Sequence, residues 1–556
     1  MSLRLRLLLQ SLGLALVGTW PAWRHPGSVA VGSAESDTIK HLWTLWWMRE
    51  QLLSGGGLHT SLVNFPEGMA LFPIEPLNGL LALFSPFGTV ATANLLAVLH
   101  LTLTGLCAGW LGKLVSGNER GAHAAAALLQ GSSFVAFALH VGVGELRQVW
   151  WLPLGLACLH RAHDTRAWRW FVALGAVLGL CVVSCFYHGL FLATAVATWA
   201  LVTIQPKPRL LLGYAAAAAL SLAIALPVVH TFSGTFGNGR PMAVMDARGG
   251  VLLDYRAEAA HLDDLVRWKA PDPAPTARQV RAYAGGRYLG WGTLLLAVAG
   301  IAAWPRRAAP WVAVTGVGVL FALGSVLWLG EAKVLVGGHS LRLPLAWLNQ
   351  ALVEHAQPIN FPARFLAIAA VGLAMLGSLA VRWRSLAWAV PLVLVDVAMH
   401  DLAVWPRATV TLPDMAGLDD ASLRAAGIDG PLADLALAAE SNEESRTYAV
   451  AAQLATGRAT QGVPLERLDG WAPGGNLWMR SRALSAFGNL ARPGVQAPTP
   501  EALAADLAAL RERGFAGVLL THRDPRPDPT AERMLSNACG PPVRSAHATV
   551  WKLPGA

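Results

Sequence analysis

The chain has 556 residues, of which 54% are hydrophobic and only 14% charged, with 23 tryptophans and a mean hydropathy of +0.44. Soluble proteins rarely sustain such values, so the sequence reads as a polytopic membrane protein of mainly α structure. The net charge of +9 does not point to nucleic acid, because many Lys and Arg gather in short loops between apolar stretches, where they set topology.

About 20 apolar residues cross a bilayer as a helix, and that ruler finds roughly eleven candidate spans. They lie near 3–22, 88–113, 122–140, 146–160, 169–185, 187–204, 209–230, 288–304, 310–330, 361–381 and 385–404. The first follows Arg4 and Arg6, as a signal peptide does. The small residues Gly32-Ser33-Ala34 lie well beyond its end, so it reads as a retained signal anchor. A cytoplasmic N-terminus puts Lys113 and Arg120, then Arg161, Arg166 and Arg169, Lys207 and Arg209, Arg306 and Arg307, and Arg382 and Arg384 all inside. The long segments 23–87, 231–287 and 331–360, and everything after about 405, then face the opposite side. The expected layout is a transmembrane bundle over 1–405 and an extracytoplasmic domain over 406–556.

The first outer segment reads Ser33-Ala34-Glu35-Ser36-Asp37-Thr38-Ile39-Lys40-His41-Leu42-Trp43-Thr44-Leu45-Trp46-Trp47. An acidic pair opens an amphipathic helix over 38–53 whose tryptophans lie at interfacial depth. Asp37 fits two roles there, helix N-cap and catalytic carboxylate. Glu67 and Glu75 belong to a Pro-rich loop, 64–78, that is too apolar for a plain linker and is expected to re-enter the interface. Glu145 and Arg147 precede Trp150-Trp151-Leu152-Pro153, where an ion pair is more often structural than catalytic. Tyr187 and His188 lie at an expected hinge, 184–189, and His188 suits either a phosphate or an interface anchor. Arg240 and Arg256 lie in the second long outer loop. Arg364, in Asn360-Phe361-Pro362-Ala363-Arg364-Phe365, opens a span from outside; a guanidinium there suits a phosphate headgroup, with snorkelling as the plain alternative. Most span interiors carry no acid or base, Asp396 being an exception.

After Trp405-Pro406 the apolar runs shorten to strand length, as in Thr447-Tyr448-Ala449-Val450 and Phe515-Ala516-Gly517-Val518-Leu519-Leu520. Between them 499–513 has the marks of a helix: Thr499 as cap, Pro500 in the first turn, Leu503, Leu507 and Leu510 on one face, and Gly514 as stop. This predicts a small α/β domain of about 150 residues. Of the five cysteines, Cys107, Cys158, Cys181 and Cys185 lie in apolar segments and Cys539 stands alone, so neither a disulfide framework nor a CxxC metal site is evident. There is no GxxxxGK[ST], HExxH or GxSxG, and no GxGxxG after a strand. Any chemistry must come from ionisable groups in the outer loops and at helix ends.

The acid Asp37 in the first outer loop, the Trp-rich helix after it, Pro76-Leu77-Asn78, Trp151-Leu152-Pro153-Leu154 and Pro362-Ala363-Arg364-Phe365 together resemble the GT-C superfamily of polytopic glycosyltransferases. More narrowly they resemble its bacterial YfhO-type branch, whose members share a Q-x-x-x-G segment similar to Gln453 through Gly457. The resemblance spans nearly the whole chain, through motifs that are each short. It implies a GT-C-like bundle in a bacterial inner membrane that moves a sugar from a polyprenyl-phosphate donor to an extracytoplasmic acceptor. Protein O-mannosyltransferases and aminoarabinose transferases of that superfamily use such donors, with an acid of the first outer loop implicated as general base. Asp37 is the matching position, with Glu35 beside it, although many relatives have a tighter acidic cluster. A hydroxyl acceptor needs its proton taken as it attacks, while cations such as Arg364, His188, Arg240 and Arg256 hold the leaving phosphate. Glu67, Glu75, Glu145, Arg147 and Tyr187 are further candidates for the pocket. A divalent metal, as in oligosaccharyltransferases, would draw on Glu67, Glu75 and Glu145. The competing expectations are a transporter or flippase for lipid-linked saccharides, which would want an internal repeat, and an envelope-assembly scaffold.

Overall fold

The computed structural model describes residues 1–34, 36–71, 75–203, 207–236, 259–268, 286–330, 332–352, 359, 361–400, 405–436, 443–462, 475–490, 494–523 and 527–555. The chain is mainly helical. Its helical part comprises α1 (Leu3–Gly18), α2 (Thr38–Ser54), α3 (Pro76–Leu83), α4 (Thr89–Ser116), α5 (Glu119–Gln130), α6 (Ser133–His140), α7 (Trp151–Thr165), α8 (Trp168–Ser184), α9 (Phe186–Thr203), α10 (Pro208–Phe236), α11 (Trp291–Ala303), α12 (Pro305–Ala322), α13 (Leu366–Ala380) and α14 (Ala389–Ala398). Each expected span overlaps a helix or a helix pair, but 310–330 runs past the end of α12 at Ala322, and residues 204 and 401–404 of two others lie outside the described residues. Length and apolarity alone qualify four of the described helices to cross a membrane: Thr89–Ser116, Phe186–Thr203, Pro208–Thr231 and Pro362–Ala380. A fifth is the pair α5 and α6, bent by 41° at Gly131 and Ser132. Of the others, Trp168–Ser184 and Trp291–Ala303 are apolar but shorter. Cys185 adopts an extended backbone between α8 and α9, at the start of the expected hinge.

The bundle is wrapped around α13, in which every residue from Leu366 to Ala380 is buried. Lipid tails give helices no hydrophobic reason to associate, so close backbone approach at small residues must supply the contact. A Cβ on Gly300 of α11 would lie 2.1 Å from the Leu376 carbonyl oxygen, and one on Gly318 of α12 would lie 2.6 Å from the Ala369 amide. Basic side chains collect at one end of the bundle. Arg307 and Arg382 stack on Trp304, and Arg161 and Arg169 on Trp170, which itself packs against Trp110 near the end of α4. Asp396, the acid expected inside a span, accepts hydrogen bonds from the Tyr288 hydroxyl at 2.9 Å and the Gly292 amide at 3.3 Å.

The opposite end carries the first long segment, which is fastened to the chain beyond 405. Strand β1 (Val29–Val31) pairs antiparallel with β2 (Thr409–Thr411), Ala30 opposite Val410. Trp43 of α2 is fully buried, stacks on Trp47 at 6.1 Å, and donates its indole N–H to Gln453 Oε1 at 2.8 Å. Gln453 in turn donates to the carbonyls of Leu62 and Arg458. The Q-x-x-x-G segment thus clamps the tryptophan helix.

Beyond it, β3 (Leu432–Asp434), β4 (Gly517–Thr521), β5 (Val543–Arg544) and β6 (Ala548–Lys552) form a sheet in the order β5-β6-β4-β3, antiparallel except for β3 beside β4. The helix α15 (Glu443–Thr456) occupies the run Thr447 to Val450, which reads as a strand from sequence alone. Four apolar or half-apolar residues are too short a window to separate the two periods. Helix α16 (Pro500–Glu512) has the expected cap, with the Thr499 hydroxyl accepting from the Ala502 amide, and the expected buried face of Leu503, Leu507 and Leu510. Phe65 of the first segment packs edge-on against Phe515, and Glu67 pairs with Arg513.

Candidate functional site

The start of α2 is held by backbone geometry before any catalytic question arises. Ser36 Oγ donates to the Val141 carbonyl at 3.0 Å and Thr38 Oγ1 to the Ser33 carbonyl at 2.9 Å. Gly142, at φ +65°, permits this: a Cβ there would fall 2.0 Å from the Thr38 hydroxyl oxygen. Asp37 occupies the N-cap position but makes no capping hydrogen bond; its carboxylate is held by Lys40 Nζ at 2.6 Å.

One turn on, His41 faces a narrow cleft of about 20 Å³, room for a single ordered water. Thr38, Glu75, Asn78, His100, Gly144 and Arg147 line it together with apolar residues of β1, α2 and α4. A hydrogen-bonded chain runs along its wall. The Trp150 indole can only donate, and it gives its N–H to His100 Nδ1 at 3.1 Å. That leaves the proton of His100 on Nε2, which meets Asn78 Oδ1 at 2.7 Å. The Asn78 amide nitrogen donates to Glu75 Oε2 at 2.5 Å, and Glu75 Oε1 accepts a hydrogen bond from His41 Nδ1–H in a close ion pair. Every group in the chain has a consistent donor and acceptor sense. Glu75 sits flat against Gly144, where a Cβ would lie 2.1 Å from its Oε2. Arg147 donates to the Val31 carbonyl at 2.7 Å and adds its charge to the field at Glu75.

Burial opposes charge on both members of the pair, yet each charge is maintained. The His41 imidazole is pulled down by burial but raised further by the charge and hydrogen bond of Glu75, with Asp37 and Glu145 adding to this, and it ends above its ordinary value. Burial pushes the Glu75 carboxyl up, while His41, Asn78 and Arg147 outweigh it and leave it below its ordinary value. Between about pH 4.5 and 6.5 the pair is therefore held as an imidazolium beside a carboxylate.

A second cluster lies at the neighbouring helix ends. Arg364, in the turn Pro362–Phe365 ahead of α13, is 7% exposed. Its guanidinium carbon sits 4.1 Å from the Phe361 ring centroid and 4.7 Å from that of Tyr187. Among the described residues no carboxylate pairs with it, and its Nε is buried without a hydrogen-bond partner. His188, in the first turn of α9, is fully buried, and neither ring nitrogen has a partner among the described residues. His188 lies within electrostatic reach of both Arg364 and His100, so the two clusters adjoin. Glu145 belongs to the same neighbourhood, acting on His41 and on Cys185.

The fold thus gathers Asp37, Glu75, Glu145, Arg147, Tyr187, His188 and Arg364 around adjoining helix ends, and separates Glu67, which is paired with Arg513. Glu35, Arg240 and Arg256 lie outside the described residues. Among the described residues no three His, Cys, Asp or Glu side chains form a set that could hold a metal ion. Sequence reasoning passed over His41, Asn78, His100 and Trp150. The available signals were the four-residue spacing from Asp37 to His41, which places both on one helix face, and a lone histidine inside the apolar span 88–113.

No family model matches the chain, and no curated protein matches it. Solved structures that resemble it include an oligosaccharyltransferase of Archaeoglobus fulgidus tethered to an acceptor peptide, and the archaeal oligosaccharyltransferase AglB of the same organism in complex with an inhibitory peptide and a dolichol-phosphate. The first is 11% identical at a TM-score of 0.44, covering 93% of this chain and 68% of that one. The second is 12% identical at 0.44, covering 93% and 69%. At that score and identity the likeness decides neither the family nor the activity of this chain.

Proposed function

We propose that the chain is a membrane glycosyltransferase of the GT-C type that moves a sugar from a polyprenyl-phosphate donor to an extracytoplasmic hydroxyl acceptor. The observation that carries this reading is Arg364, a buried cation caged by two aromatic rings, with no carboxylate partner among the described residues and an unpartnered His188 beside it. A buried charge without a counter-ion is costly, and a bound phosphate would remove the cost. The adjoining cleft supplies acid–base groups, as displacement at an anomeric carbon requires. The lipid phosphate is held by Arg364 and His188, and the sugar ring lies at the mouth of the cleft, into which only the reacting groups fit. Asp37, one residue before the cleft-lining Thr38, engages the acceptor hydroxyl.

The acceptor oxygen bonds to the anomeric carbon as the bond from that carbon to the phosphate oxygen breaks. The phosphate leaves with the electron pair, and cationic groups stabilise its charge. The test is transfer of radiolabelled sugar from polyprenyl-phosphate donors to hydroxyl acceptors by the purified protein in nanodiscs, with Asp37→Asn as the control. Transfer that falls by roughly 100-fold or more in the variant, at unchanged melting behaviour, supports the reading. Undiminished transfer by the variant removes Asp37 from the site.

A further inference from the structure

Resting on the transferase reading above, we propose that His41, oriented by Glu75, is the group that takes the proton from the acceptor hydroxyl. Asp37, the acid expected to do so, has Oδ1 of its carboxylate in contact with Lys40 Nζ at 2.6 Å. His41 is differently placed. Its Nδ1 is committed to Glu75, and Nε2 has no hydrogen-bond partner among the described residues while the ring lines the cleft. When the imidazole is neutral its proton is fixed on Nδ1 and its lone pair is on Nε2, the arrangement of a general base held by a carboxylate.

Four successive contacts keep Glu75 from turning away: the chain from Trp150 through His100 and Asn78, and the wall at Gly144. The residues whose only evident task is to aim His41 are thus positioning residues, and His41 is the one catalytic residue among them. As the acceptor oxygen attacks, its proton passes to Nε2. The imidazolium that results is stabilised by the carboxylate, and it then loses the proton to water.

The charged and titratable groups facing His41 are Asp37 and Lys40 on its own helix, Glu75 ahead of α3, His100 on α4, and Glu145 and Arg147 before α7. The acids outweigh burial, so His41 becomes neutral above the ordinary histidine value of 6.5. Transfer should therefore rise with pH along a limb above that value. A carboxylate base, ionised throughout this range, would give no such limb.

The experiment is the pH dependence of transfer from a polyprenyl-phosphate sugar by wild type, His41→Gln, Glu75→Gln and Asp37→Asn. His41→Gln keeps a donor for Glu75 but has no basic nitrogen; it should lose about 10²- to 10⁴-fold in kcat and lose the limb. Glu75→Gln, which keeps the imidazole, should move the limb to lower pH, a shift that a merely structural role would not produce. Asp37→Asn should lower the rate and keep a limb. Wild-type transfer with His41→Gln showing the same rate and limb overturns this inference and leaves the transferase reading standing. If His41→Gln does not fold, an unmoved limb in Glu75→Gln overturns it equally. No transfer by the wild type with any polyprenyl-phosphate sugar overturns both.

Discussion

Arg364 combines charge, planarity and two aromatic contacts, and these can be separated by substitution. Arg364→Ala should lose about 2–4 kcal/mol of transition-state stabilisation, the worth of a charge-assisted contact in a water-poor site. Arg364→Lys should recover only part of it, because an ammonium supplies charge without a stacking plane or a bidentate fork. Measured kcat/KM for the two variants checks this, and equal loss in both would mean that charge is irrelevant. The pair of His41 and Glu75 also makes a stability prediction. His41 is held above 6.5, so its contribution is complete below that value and is lost as pH rises through the folded one. Glu75 is held below 4.5, so its contribution is complete above that value and is lost as pH falls through the folded one. Thermal unfolding of wild type against Glu75→Gln should therefore differ most between about pH 4.5 and 6.5 and converge on either side. At this scale the acids and Arg364 were legible because ionisable groups are rare in such a chain. The partners were not: Glu75 and His41 are 34 positions apart, and nothing in either local sequence states that the loop carrying one folds over the helix carrying the other.

Helices were the most legible elements, because apolar length and capping residues are local properties. Thr499→Ala should cost about 1 kcal/mol in the stability of the region around α16, read by chemical denaturation, since only the cap hydrogen bond is lost. Gly300→Ala tests the packing of α11 on α13. The added methyl meets the backbone oxygen of Leu376, which has no rotamer to retreat to, so the helices must separate and stability should fall by about 1–3 kcal/mol, read by thermal unfolding. The failure at Thr447 to Val450 is instructive. Those residues lie within α15, which packs against α2 and carries Gln453 to Trp43, and such long-range contacts are invisible in a four-residue window. The breaks at Gly131 and Cys185 were partly legible, since 169–204 read as hinged whereas 122–140 read as one span.

For the whole molecule, the gathering of Arg161, Arg169, Arg307 and Arg382 at one end of the bundle accords with their assignment to one side of the membrane from loop charge. On that rule the opposite end, with α2, the cleft and the chain beyond 405, is expected to face away from the cytoplasm. An alkaline phosphatase fusion after Trp405 should be active and a cytoplasm-dependent fluorescent fusion dark; the reverse pattern would place the candidate site on the cytoplasmic side. The pairing of β1 with β2 and of Trp43 with Gln453 shows why the sequence divided more neatly at 405 than the structure does: the first segment is fastened to residues on the far side of that boundary. The central claim is that these groups transfer a sugar from a lipid phosphate, and the most direct measurement is the anomeric product formed by purified protein in nanodiscs from a defined polyprenyl-phosphate sugar. A single displacement at the cleft predicts a glycoside of inverted configuration, with polyprenyl phosphate released in equal amount and both lost in Arg364→Ala. No glycoside from any such donor, with the lipid-linked sugar unchanged or merely moved across the bilayer, would contradict that claim.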